Sequence, residues 1–152
     1  MNWSFFVRTW QRANHRGLVV LPVWELPASA DEKSYLGAVL GLEEAGQWEG
    51  AAAAYSKALE QWPHSTSALM GLGNSRYAIG DFTGAERAFR QAIETNPQNG
   101  AAFNNLAHVL AEQGYYAEAL EMVRRAVALG GPNDLIYRQT LGEIKKLQDM
   151  DR

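Results

Sequence analysis

At 152 residues the chain suits one domain of ordinary size, and with no cysteine it has no disulfide, thiolate nucleophile or cysteine zinc site. Its 14 basic and 17 acidic residues leave a net charge of −3, which gives no general attraction for nucleic acid or an anionic membrane surface. The longest purely apolar run near the start, residues 18–21, falls far short of the ~20 residues that a membrane-spanning helix needs.

In chain order, Trp3, Phe6, Val7 and Trp10 fall at i, i+3, i+4 and i+7, which predicts a short amphipathic helix. Gly17 then precedes an apolar, strand-like run over residues 18–23. A lone strand leaves its amides and carbonyls unpaired, so it must find a sheet, the flank of the rest of the chain or a neighbouring copy. Self-association through residues 17–23 is therefore one reading of this segment.

From residue 32 the sequence repeats at a spacing of 34. Gly46-Gln47-Trp48, Gly80-Asp81-Phe82 and Gly114-Tyr115-Tyr116 are each followed by Ala51, Ala85 or Ala119, then by Tyr55, Phe89 or Val123, then by Ala58, Ala92 or Ala126. Units over residues 32–65, 66–99 and 100–131 each read as two helices joined by a short turn. Gly46, Gly80 and Gly114 end the first helix of each pair, and Pro63 and Pro97 stop the second. Gly73, with Ala107 in its place one unit on, marks the close approach of the two helices of a hairpin. The third unit ends Gly130-Gly131-Pro132, its proline one place late. Residues 133–149 carry only half the motif, with Leu141-Gly142 at the first-helix position, and read as a capping helix. A period of this length means stacked helical hairpins, none of which can bury its apolar face alone. The predicted class is all-α, a right-handed solenoid of three hairpins and a cap over residues 31–149, preceded by the separate segment 1–30.

The spacing of Leu72-Gly73, Tyr77, Gly80, Ala85, Phe89, Ala92 and Pro97 resembles the tetratricopeptide repeat (TPR) family. The resemblance implies that the first helices of successive units line a concave groove binding a peptide or protein segment. It points to Lys33, Leu36 and Leu40 in the first unit, Met70, Asn74 and Tyr77 in the second, Asn104, Asn105 and His108 in the third, and Gln139 on the cap, where Glu143 is a further candidate. Gly71 also falls at a groove position. Asn74, Asn104, Asn105 and His108 offer donors and acceptors to an extended backbone, and Leu36, Leu40, Met70 and Tyr77 offer apolar contact. Some TPR domains grip a partner's C-terminal carboxylates with lysine, arginine and asparagine at such places. This sequence keeps the asparagines but has Leu36 and Leu40 in the first unit and no lysine or arginine at the groove positions of the third.

Residues 3–10 leading to residues 18–22 resemble the closing helix and strand of papain-like peptidase domains of the bacteriocin-processing type. In some bacterial proteins such a domain precedes TPR units, which would make these repeats the substrate-recruiting tail of a larger, envelope-associated peptidase. Cytoplasmic residence is the default otherwise. The family's catalytic cysteine has no counterpart here.

No catalytic constellation stands out. His15, His64 and His108 lack ligand spacing for a metal, and Glu43-Glu44 are helix neighbours that point apart. Gly71-Leu72-Gly73 lies inside a helix and not between a strand and a helix, so it is no phosphate loop. The expectation is a non-catalytic interaction module without cofactor or metal.

Overall fold

The computed structural model of the protein describes residues 31–151. The helix and strand expected over residues 3–10 and 18–23 lie outside the described residues. Within them run α1 (Glu32–Glu44), α2 (Trp48–Gln61), α3 (Thr66–Ala78), α4 (Phe82–Thr95), α5 (Gly100–Glu112), α6 (Tyr116–Leu129) and α7 (Asp134–Met150), with no strand. The described residues form an all-α helical solenoid.

Local chemistry explains the regularity. Asp31, Ser65 and Asn99 precede α1, α3 and α5, and their side chains accept the amides of Ser34, Ala68 and Ala102 at 2.9, 3.1 and 3.2 Å. Each cap satisfies an amide that the first helical turn would otherwise leave unpaired. At the other ends, Gly46, Gly80 and Gly114 take φ of 70, 81 and 81°. In that left-handed geometry the Gly80 amide donates to the Tyr77 carbonyl at 3.0 Å and the Asp81 amide to the Arg76 carbonyl at 2.9 Å, a closure repeated in the other two turns. The third unit departs from the pattern where Gly130 and Gly131 follow one another at φ 65 and 93°, which delays the proline to 132.

Packing is continuous across the units. Val39, Leu42, Tyr55, Leu72 and Ala88 share one buried cluster, so α1 to α4 all contribute to it. Phe89, Phe103, Leu106, Leu110, Val123, Tyr137 and Ile144 share another that runs from α4 to α7. The small residues have steric reasons: a Cβ at Gly73 would come within 2.4 Å of the Phe89 ring, and Ala51, Ala85 and Ala119 are fully buried. Gly71 corrects the sequence reading, because the Tyr55 ring of the preceding unit covers it and removes it from the groove. α7 closes the stack by burying Tyr137, Thr140 and Ile144, while Leu135, Ile136, Leu147 and Met150 remain exposed on it.

Every helix packs on its sequence neighbours, and α1 also meets α3, α3 meets α5, and α5 meets α7. The first helices of the hairpins thus form an inner row in mutual contact. α2, α4 and α6 form the outer row.

Candidate functional site

Side chains on the inner row join one unit to the next. The Asn105 Nδ2 of α5 donates to Asn74 Oδ1 of α3 at 3.0 Å. Tyr77, also on α3, donates its hydroxyl to Glu112 Oε1 at 3.2 Å and lies tilted against Phe82 with ring centroids 5.6 Å apart. One unit further, Thr140 Oγ1 on α7 lies 3.2 Å from His108 Nε2, and Gln139 Nε2 donates to Glu143 at 2.9 Å. Polar side chains thus link α3 to α5 and α5 to α7. Asn74, Gln139 and Glu143 are exposed and Asn105 is half-buried, so amide and carboxylate groups remain open to a ligand.

The electrostatics follow from this placement. Burial pushes the His108 imidazole below its usual range, against the opposing pull of Glu143 and Glu112. Tyr77 is raised, first by burial and then by the charge and hydrogen bond of Glu112.

The structure therefore brings together Asn74, Tyr77, Asn105, His108 and Gln139 along the inner row. Met70 is half-buried and packs on the two clusters that hold Phe89 and Leu69. Asn104 is 5 % exposed, so it lies at the floor of the row and not on an open wall. On α1, Leu36 packs against the first cluster, Lys33 is exposed, and Leu40 keeps 51 % of its surface. Thr140 went unnoticed in the sequence. Its signal was a distance of 32 residues from His108, close to the repeat length, as for the 31 that separate Asn74 from Asn105.

A second network stands away from this row. Arg90 of α4 bonds Glu118 of α6 at 2.6 Å and Glu86 at 2.9 Å, and Gln113 donates to Glu86 at 3.0 Å. It ties the second unit to the third. No group of three histidine, aspartate or glutamate side chains that could hold a metal occurs among the described residues.

A sequence model of the tetratricopeptide repeat matches residues 36–85 and 71–134. The chain belongs to the tetratricopeptide repeat family. No curated protein matches this TPR chain in sequence. Among solved structures, it is similar to the first TPR domain of Spaghetti (RPAP3) bound to the HSP90 peptide SRMEEVD, with TM-score 0.71, 16% identity, and coverage of 79% of this chain and 97% of that one. It is also similar to the TPR2B domain of yeast Sti1 in its pHsp70 complex, with TM-score 0.72, 18% identity, and coverage of 76% and 96%. YrrB, described as a TPR protein with an unusual peptide-binding site, aligns at TM-score 0.66 and 30% identity over 75% of this chain, which spans 58% of that structure.

Proposed function

We propose that this TPR protein is a non-catalytic interaction module that holds an extended segment of another protein along the inner row of α1, α3, α5 and α7. The carrying observation is the Asn105–Asn74 hydrogen bond, which presents two carboxamides of adjacent units side by side at 3.0 Å. Each carboxamide keeps donor and acceptor capacity beyond that bond, and a peptide backbone in extended form offers matching groups at intervals. The complexes of the first TPR domain of Spaghetti and of Sti1 TPR2B, and the peptide-binding site of YrrB, support the same reading. Leu40 on α1 and Tyr77 on α3, both partly open, supply apolar contact.

The test is a random-sequence peptide array probed with the wild-type chain and with the Asn74→Ala, Asn105→Ala double variant. The wild type is expected to select peptides, and the variant to lose at least about tenfold in affinity for them as two amide contacts to the peptide go. Folding should survive, because substitutions at open polar positions rarely exceed ~0.5 kcal/mol. Unaltered selection by the double variant would reject the inner row as the site.

A further inference from the structure

α3 and α5 are each covered on one side by the second helix of the preceding unit, α2 and α4, whereas no helix precedes α1 among the described residues. The 34-residue spacing allows the three first helices to be compared position by position. Ala68, Leu72 and Ser75 of α3 are buried, as are Ala102, Leu106 and Val109 of α5. At the same places on α1, Ser34 is exposed and Ala38 and Gly41 are only half-buried. The contrast is sharpest at glycine. A Cβ at Gly71 would clash with the Tyr55 ring carried by α2, but a Cβ at Gly37, one repeat earlier, would meet no atom within 4 Å. α1 thus has the flat seat on which an aromatic ring of a preceding helix packs, without the ring.

Connectivity and charge single out what covers this face. Residues 1–30 join α1 at Asp31, so they are tethered beside it. Residues 11–30 span up to roughly 65 Å when extended, against about 20 Å for the length of α1, so a helix over residues 3–10 can reach any part of it. Trp3, Phe6 and Trp10 fall on one helical stripe of that segment and supply rings of the kind the seat takes. Three arginines against Glu25 give residues 1–30 a net charge of +2, whereas six carboxylates against Lys33 and Lys57 give residues 31–65 a net charge of −4. The other open face has no such match: α7 carries three acidic and three basic residues and lies at the far end of the stack from Asp31.

We propose that the open face of α1 is an intramolecular docking surface for residues 1–16 of the same chain, which lie on it as a helix and seat an aromatic ring on Gly37 as Tyr55 sits on Gly71. The segment then takes the place of the second helix of a preceding unit. Burying a ring against a bare helix face removes apolar area from water on both partners, which drives the docking. The opposite net charges favour the same encounter. The first end of the solenoid is closed in this way by the chain's own start, as α7 closes the other, and the contact is independent of any ligand along the inner row.

The experiment uses the full chain. Because the sequence has no cysteine, Ser4→Cys gives a single attachment point for a nitroxide spin label. In 15N-labelled protein the nitroxide is expected to broaden the amides around Gly37 beyond detection while those of α5 and α7 stay sharp. A mixture of spin-labelled 14N chain with unlabelled 15N chain should show no such broadening, since the contact lies within one chain. Gly37→Leu fills the seat with a good helix former at an open position, so it should restore the α1 signals of the spin-labelled chain while its circular dichroism stays helical. Replacing Trp3, Phe6 and Trp10 together by alanine should restore them too. Sharp α1 amides in the spin-labelled chain, or broadening confined to α5 or α7, overturn the proposal. Broadening of α1 in the mixture as strong as in the single chain gives the face to a second copy and overturns it as well. Unchanged broadening in Gly37→Leu overturns the ring seat.

Discussion

His108 carries the most testable single-residue consequence. Its folded pKa lies below the ordinary 6.5, because burial disfavours the imidazolium more than Glu143 and Glu112 favour it. The unfolded chain then binds more protons between the two values, so stability from this residue is complete above pH 6.5 and is lost as pH falls through the folded value. Urea midpoints at pH ~7.5 and ~5, measured for the wild type and for His108→Gln, should show a smaller acid-side loss in the variant. Equal losses would mean that the imidazole is no more desolvated in the fold than outside it. Glu112 on α5 and Glu143 and Thr140 on α7 are the groups facing the ring, and the comparison between the two proteins cancels the titration of carboxylates elsewhere.

At the level of the helix, capping is a quantity that can be measured. The Asn99 side chain accepts the Ala102 amide at 3.2 Å at the start of α5, the helix with the most extensive burial in the row. Asn99→Ala should cost ~1 kcal/mol, read as a lower denaturant midpoint at unchanged slope, because one helix-start amide loses its partner. The unit starts at Glu32, Thr66 and Gly100 were legible in the sequence, since the glycines, small residues and prolines recur with the period and each has a local cause, and the last helix begins at Asp134, one residue after the 133 read from the sequence. Which sides the neighbours cover was less so. The period says that Gly71 and Asn104 project toward the inner row, but it contains no information on the size of the Tyr55 ring or on how deeply α5 sinks between α3 and α7. For the same reason the open apolar side chains Leu135, Ile136, Leu147 and Met150 of α7 were not foreseen, although the helix itself was. The Arg90 to Glu118 link escaped notice because its 28-residue separation fits neither a helical turn nor the repeat.

For the whole molecule, stability must be graded along the stack, because each hairpin is held by its neighbours on either side. The inner-row helix at one end, α1, buries only Val39 and Leu42, and α7 at the other buries Tyr137, Thr140 and Ile144, against eight residues buried on α5. Native-state hydrogen exchange should therefore show α1 and α7 opening at lower free energy than α5, with protection rising toward the third unit. A single opening free energy shared by all three helices would contradict this and imply one all-or-none core.

The inner row, in which each first helix touches the next, also governs how the protein is made. Its helices pack extensively only on helices one or two places away in the chain, and Tyr77 reaches just 35 residues ahead to Glu112. Loops this short close at little entropic cost, and such local topologies fold in roughly microseconds to milliseconds. A ribosome adding ~5–20 residues per second needs a few seconds to deliver one 34-residue unit, so each hairpin has time to dock on the previous one before the next emerges. The order of units along the solenoid is thus also the order in which they assemble during synthesis, with the unpaired edge of the growing stack always facing the chain still to come.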